Sequence, residues 1–296
     1  FSPLLYQLSY RTSRSAPSPS RESENYRAKS GRQIYNLLPL TKTIFARNTF
    51  VNKYFVLTIA VDGGNTRIKM ACFSGTEPEE LQYFTDLSDL SRALAVLDPD
   101  TPIISSNVGK WNWQAVFEAF PRHLSLGVET PLPLKMAYLS PETLGNDRRA
   151  LAVAAHFAFP GCDALVIDLG TCITYDLVDA KGIYRGGGIA PGLKMRLRAL
   201  HHFTARLPEV SPSQKELPLV GTSTEASIQS GTIEGLKAEV EGMLNRYRSQ
   251  YPELMVVITG GDAPYLAHLP KNNIFARPNF LLTGLYHILT FNVHGH

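Results

Sequence analysis

Asp62-Gly63-Gly64-Asn65-Thr66 and Asp168-Leu169-Gly170-Thr171 decide the fold of this 296-residue chain. Each follows an apolar run, Phe55 to Val61 in the first case and Ala164 to Ile167 in the second. Each is followed by another strand-like run rather than a helix: Arg67-Ile68-Lys69-Met70-Ala71-Cys72, and Cys172 to Val178. The pattern is a strand, a tight glycine turn with an acid at the bend, and a returning strand. Gly63 and Gly64 let the backbone bend and approach a ligand closely. Free N–H groups at such a turn form a concavity for an anion. Asn65, Thr66 and Arg67 add side-chain donors that suit phosphate oxygens. Asp62 would repel a bare phosphate but fits beside a hydrated magnesium ion. Read singly, either string also serves as an ordinary hairpin turn; as a matched pair they suggest two hairpins facing one nucleoside triphosphate. Neither is a P-loop, since no G-x-x-x-x-G-K-[ST] occurs, and neither is a G-x-G-x-x-G opening a helix.

Outward from the hairpins, strands and helices alternate, which implies an α/β fold. Asp86–Leu97 reads as an amphipathic helix, Pro102–Ser105 as a strand, Trp113–Phe120 as a helix and Leu134–Leu139 as a strand. Asn146–Phe157 reads as an Ala-rich helix. Gly182–Ile189 is a further strand, a helix opens after Pro191-Gly192, Glu225–Tyr247 is a long helix, and Met255–Thr259 is a buried strand. The hairpin acids stand 106 residues apart, about one domain length. The expected organisation is a duplicated domain with a cleft between the halves: 54–162 and 163–296, preceded by a basic extension, 1–53.

Nine Lys/Arg and only two acids fall in residues 1–54, which leaves the rest of the chain with 20 basic and 24 acidic residues. A mildly acidic body is not a nucleic-acid footprint. The basic lead is read as a flexible extension or a stretch from upstream of the true start, with an organelle-targeting segment as the alternative. No apolar run of transmembrane length occurs. Three cysteines without metal-like spacing fit a reducing, cytoplasmic setting and are read as small core residues.

Phosphoryl transfer to an alcohol needs a carboxylate near the acceptor hydroxyl. Gly145-Asn146-Asp147-Arg148 supplies one at the start of an expected helix, where the dipole favours the ionised form. Arg148 and Arg149 can bind an anionic substrate group; the same residues can also be a helix cap followed by two solvated arginines. Gly186-Gly187-Gly188 reads as a strand bulge or a close approach. Gly260-Gly261-Asp262 is either a bed for an adenine ring or a strand-to-helix turn. Trp111-Asn112-Trp113 reads as packing or an interface rather than a base-stacking platform.

These motifs together resemble the type III pantothenate kinases, over about residues 55–290. The family's D-x-G-N-T is matched by Asp62–Thr66, its G-x-D-R by Gly145–Arg148, and its D-x-G-T with I-T-Y-D by Asp168–Thr171 and Ile173–Asp176. A later stretch is similar at Gly187–Gly192 and Thr204–Pro208. The resemblance implies a duplicated ribonuclease-H-like, actin-like fold shared with acetate kinase, sugar kinases and the Hsp70 ATPase. It implies ATP-dependent phosphorylation of pantothenate, the first step of coenzyme A synthesis, with Asp147 as the catalytic base. It further implies Tyr138, Gly145, Asn146, Arg148 and Thr204 against pantothenate. Asp62, Gly63, Gly64, Asn65, Thr66, Arg67, Lys69, Gly170 and Thr171 would hold ATP, Asp62 would help place Mg²⁺, and Asp168 would support a monovalent cation, K⁺ or NH₄⁺. A homodimer in the cytoplasm is implied, with no nucleic-acid or membrane partner. Cys172 stands where the family usually has alanine, and residues 1–53 have no counterpart. The rival readings are a nucleotide-gated binder or accessory transcription regulator, and a kinase for another small acid or sugar.

Overall fold

The computed structural model describes residues 57–213, 218–267, 269 and 272–294; the basic stretch 1–53 lies outside the described residues. β1 (Thr58–Gly63), β2 (Ile68–Phe73), β3 (Glu80–Phe84), β4 (Ile103–Asn107) and β5 (His123–Ser125) form one sheet, ordered β3-β2-β1-β4-β5. β1 is antiparallel to β2 and parallel to β4; β2 and β3 pair antiparallel, β4 and β5 parallel. β6 (Lys135–Met136), β7 (Ala164–Leu169), β8 (Cys172–Val178), β9 (Ile183–Pro191), β10 (Met255–Thr259) and β11 (Ile274–Ala276) form a second, ordered β11-β10-β7-β8-β9-β6. Without β6 at its edge, the second sheet repeats the first. β9-β8-β7-β10-β11 has the order and the pairing senses of β3-β2-β1-β4-β5. A three-strand meander followed by two parallel strands, made twice, is the duplicated ribonuclease-H-like architecture.

The central strands are deeply buried. Every residue of β1, Thr-Ile-Ala-Val-Asp-Gly, is buried, as a strand covered on both faces requires. The helices are α1 (Leu87–Leu94), α2 (Gln114–Phe117), α3 (Asn146–Ala158), α4 (Leu193–His202), α5 (Thr224–Gln250) and α6 (Phe280–His294). Asp86 caps α1 by accepting from the Asp89 N–H at 2.9 Å. α4 and α5 cover one face of the second sheet, with Leu193, Leu197, Ile233 and Val240 against Leu165 and Ile167.

α3 lies between the sheets and orients the site. Ala150 and Val153 pack with Ala60, Phe73 and Ile104 of the first sheet and with Leu285 and Ile288 of α6. Leu151, Ala154 and Ala155 pack with Val166, Val178 and Tyr184 of the second. The alanines permit this double burial because little side chain must fit. At the α3–α6 crossing a methyl group on Gly284 would fall 1.9 Å from the Ala150 carbonyl oxygen. α6 has no counterpart among the expected elements. Its sequence, Phe-Leu-Leu-Thr-Gly-Leu-Tyr-His-Ile-Leu-Thr-Phe-Asn-Val-His, has no sustained polar face, as a helix buried on several sides need not.

The expected boundary at 162/163 falls between α3 and β7, and two elements cross it. β6 pairs with β9 of the second sheet, while α6 packs on the first. The helix expected over Trp113–Phe120 shortens to the four residues of α2. The strand expected over Leu134–Leu139 shortens to the two of β6. Of the three cysteines only Cys72 is a core residue; Cys162 is exposed and Cys172 half-buried. Among the described residues no helix is long and apolar enough to cross a membrane.

Candidate active site

Asp62 and Asp168 occupy equivalent places, near the C-terminal ends of the central strands β1 and β7. Asp62 is opposite Lys69 on β2 and Ser106 on β4, and Asp168 is opposite Thr174 on β8 and Thr259 on β10. Both carboxyls are held well above the usual carboxylate range. Burial pushes Asp62 up to about 6, with Lys69 opposing and Asp147 adding to the rise. Burial pushes Asp168 up to about 7, with Asp147, Asp62 and Asp176 adding and Lys69 opposing. Asp62, Asp147 and Asp168, from β1, α3 and β7, thus share one electrostatic environment with Lys69, and Asp176 on β8 adds to it at Asp168. The buried Asp62 Oδ1 and Ser106 Oγ have no hydrogen-bond partner, an arrangement a cation or its water shell would complete. Among the described residues no three His, Cys, Asp or Glu side chains converge to hold a metal unaided; an ion that keeps most of its water shell needs fewer protein ligands.

The first hairpin is open at its tip and fastened behind. Asn65, Thr66 and Arg67 are exposed, and Gly64 N–H donates to the Arg67 carbonyl at 3.2 Å. Behind the turn, Trp111 Nε1 donates to the Gly64 carbonyl at 2.7 Å. A methyl group on Gly63 would meet the Trp113 ring at 2.7 Å and Trp111 at 2.9 Å. Val108 and Gly109 N–H both donate to the Gly63 carbonyl, at 3.1 and 3.0 Å. The two tryptophans therefore buttress the hairpin, in keeping with their reading as packing. Arg67 turns toward β3 and lies over Tyr83, 4.7 Å from the ring centroid.

The second hairpin is braced likewise. Gly170 N–H donates to the Cys172 carbonyl at 3.0 Å and Gly192 N–H to the Thr171 carbonyl at 3.1 Å. Gly260, at φ +92°, presses against the Leu169 carbonyl and the Asp168 carboxylate. Gly260-Gly261-Asp262 is thus a turn locked onto β7, followed by a short 3-10 segment, Ala263–Leu266.

Gly145 and α3 place the acid–arginine step. Asp147 is half-buried in the first turn of α3. Its Oδ1 accepts from the Arg148 N–H at 2.8 Å and stands where a Cβ on Gly145 would be, at 2.4 Å. Asn146 does not cap the helix; its amide donates to the Leu126 carbonyl at 2.8 Å. The two arginines diverge. Arg149 is buried and spends its guanidinium on the main-chain carbonyls of Leu144, at 3.2 Å, and Pro141, so it is a structural fastener rather than a substrate contact. Arg148 Nε donates to Asp176 Oδ1 at 2.8 Å. Its guanidinium lies 5.8 Å from the Tyr138 ring centroid, and its Nη2, also buried, has no partner. Tyr138 rests against Gly186, whose φ is +93°, beside the register shift in the β8–β9 ladder. The glycine cluster at 186–188 is both bulge and close approach.

Thr204 stands apart. It is exposed beyond the end of α4, its hydroxyl donating to the Leu200 carbonyl at 2.6 Å, about 15 Å along that helix from Gly192. A separate groove of about 880 Å³ runs between the ends of α4 and α5, lined by residues including Leu200, Leu207, Thr222 and Ser227. None of the carboxylates lines it. Asp176, Tyr184 and Ser106 were not among the expected site residues. Asp176 carried a signal in the Ile173–Asp176 string; Ser106 carried none.

A duplicated ribonuclease-H-like fold with an aspartate at the end of each central strand defines the actin-like class of ATP-using proteins. Within that class the match is specific. The family model for type III pantothenate kinase covers residues 58–246, and this chain belongs to that family. Proteins named type III pantothenate kinase from Cytophaga hutchinsonii and Christiangramia forsetii are similar to it. The first is 39% identical over 237 residues, 80% of this chain and 100% of that protein. The second is 41% identical over 243 residues, 80% of this chain and 99% of that protein. A solved structure from Campylobacter jejuni, assigned provisionally to Baf family transcriptional activators, matches with a TM-score of 0.53. It is 18% identical and covers 80% of this chain and 100% of that one; at that identity it speaks to the fold alone.

Proposed function

We propose that this protein transfers the γ-phosphoryl group of ATP to the primary hydroxyl of pantothenate, giving phosphopantothenate, the first committed intermediate toward coenzyme A. The observation that carries the reading is the step from Asp147 to Arg148. One residue offers a half-buried carboxylate at a helix N-terminus, and its neighbour offers a buried guanidinium with a vacant donor. The names of the relatives support pantothenate as the acceptor.

Asp147 takes or orients the proton of the attacking hydroxyl, and Arg148 anchors the carboxylate at the other end of the acceptor, beside Tyr138. The hairpins at Gly63–Arg67 and Gly170-Thr171 meet the ATP phosphates through their exposed tips, Asn65, Thr66 and Thr171, with Lys69 nearby. Asp62 and Ser106 would help place Mg²⁺, and Asp168 a monovalent cation, K⁺ or NH₄⁺. The chemistry such ions supply is neutralisation of phosphate charge. The unpartnered Asp62 Oδ1 and the raised carboxyls of Asp62 and Asp168 support that fit. Catalysis is then mostly positioning and charge stabilisation, as phosphoryl transfer requires. A cytoplasmic homodimer whose partner subunit adds to the acceptor pocket completes the proposal, and Thr204 belongs to it only through such a contact.

ADP release measured with and without pantothenate, and over a panel of other small acids and sugars, tests the reading. Pantothenate-dependent release, with much weaker response to the other acceptors, is expected. Release driven equally by a sugar, or ATP binding without any acceptor-dependent turnover, would refute it.

A further inference from the structure

Asp176, on β8, has a completely buried side chain, and three donors converge on it. Arg148 Nε donates to Oδ1 at 2.8 Å, Tyr184 OH to the same oxygen at 2.7 Å, and Thr174 Oγ1 to Oδ2 at 2.9 Å. Charge-assisted bonds of this kind are the strong, directional ones. Holding Nε of a planar guanidinium fixes the plane of the whole group, and Tyr138 stands beside that plane, 5.8 Å from the guanidinium carbon. Nε of Arg148 is thereby committed to Asp176, while Nη2, on the same edge of the guanidinium and also buried, is left without an acceptor. A buried charged donor in that state is costly, and a ligand anion is what completes it. Arg149 shows the contrast, since its guanidinium is satisfied by main-chain carbonyls.

We propose that Asp176 is a positioning residue for the acceptor. By clamping Nε of Arg148, with Thr174 and Tyr184 fixing its own two oxygens, it aims Nη2 at the acceptor carboxylate and so sets the preference for anionic over neutral acceptors. This rests on the reading of Arg148 as the pantothenate anchor. The clamp also makes the Arg148–Asp176 pair neutral as a unit. The pocket then attracts through aligned N–H groups rather than through a loose net charge, which favours one binding pose.

The test compares pantothenate with its carboxamide analogue, in which the carboxylate becomes a neutral amide and the reacting hydroxyl is unchanged. The double variant Thr174→Val/Tyr184→Phe keeps both charges and removes only the fastening of Asp176. The expected result is a rise in KM for pantothenate of about fivefold or more, with KM for ATP within about twofold of wild type. The kcat/KM ratio of pantothenate over the amide should fall by at least about fivefold. Asp176→Ala should lower that ratio further; thermal melts decide whether it folds, and the double variant carries the test if it does not. A role in packing alone would depress both acceptors alike and leave the ratio at its wild-type value, which overturns the proposal. Arg148→Met separates the two levels of the argument. If it abolishes the preference while the Asp176 clamp variants retain it, the anchor stands and the clamp is wrong. If wild type itself does not prefer pantothenate to the amide, the anchor fails and the clamp with it.

Discussion

Replacing Gly260 with alanine is expected to loosen the second hairpin, whereas the same change one residue later is not. Gly260 has φ +92°, and a methyl group there would stand 2.4 Å from the Leu169 carbonyl oxygen and 2.5 Å from Asp168 Oδ1. The left-handed backbone costs an alanine about 1–2 kcal/mol. The overlap adds about 1–3 kcal/mol, because part of what it meets is main chain that cannot rotate away. The sum, about 2–5 kcal/mol, corresponds to a loss of roughly 4–20 °C in melting temperature for a domain of this size. The strain is relieved by the loop backing away from β7. That movement breaks the Asp262 N–H to Leu169 carbonyl bond, 3.0 Å long, and shifts the Asp168 carboxylate. KM for ATP should rise by at least about fivefold, since small misplacements at such a site cost much. At Gly261 a Cβ would meet nothing within 4 Å, so Gly261→Ala should melt within about 2 °C of wild type. Thermal melts by circular dichroism and ADP-release kinetics on both variants provide the measurement. A Gly260→Ala protein with wild-type melting and wild-type KM, or equal destabilisation by the two changes, would refute the reasoning.

Three further outcomes are expected. Asp168 has its folded pKa raised from 3.8 to about 7, so the folded state binds the proton more tightly than the unfolded chain does. Its contribution to stability is present below about pH 4 and lost as the pH rises through 7. Without ATP and added cations, Asp168→Asn should therefore melt at least about 3 °C above wild type at pH 8 and level with it near pH 4; an Asn variant less stable at pH 8 contradicts this. Trp111→Phe keeps an aromatic ring but loses the five-membered half of the indole and its Nε1–H bond to the Gly64 carbonyl, the bond alone worth about 1 kcal/mol. It should raise KM for ATP and leave KM for pantothenate unchanged, and the reverse pattern in steady-state kinetics counts against the buttress. Gly145→Ala has no backbone penalty at φ −57° but displaces the Asp147 carboxylate. It should reduce kcat by at least about tenfold with melting within about 2 °C of wild type, and an unchanged kcat in a folded variant argues against that placement.

The duplicated architecture was legible in the sequence because both hairpins combine local signals that few other structures need: an apolar run, an acid, glycine and a β-patterned return. Asp147 and Arg148 were legible as a helix-start motif, and the resemblance to a family gave them roles. What stayed hidden depends on distant contacts. α6 leaves no mark in the sequence because a helix buried on several sides shows no amphipathic period, and its crossing with α3 hangs on Gly284 meeting Ala150, 134 residues earlier. The difference between Arg148 and Arg149 was invisible in a run of two identical residues; only the fold sends one to Asp176 and the other to main-chain carbonyls. Ser106 gave no sign, since its place opposite Asp62 exists only once β1 and β4 pair. Thr204 came from resemblance alone, and its exposed position at the end of α4 gives it no tie to the carboxylates within one chain.

The central claim is that Asp147 serves as the base for pantothenate phosphorylation while the two hairpin aspartates handle cations. The most direct measurement is the turnover number of Asp147→Asn with saturating ATP and pantothenate, read by mass detection of phosphopantothenate, alongside its melting temperature. A fall of at least about a hundredfold in a variant that melts with wild type is expected for loss of a general base. Turnover near wild type in the folded variant would contradict the account.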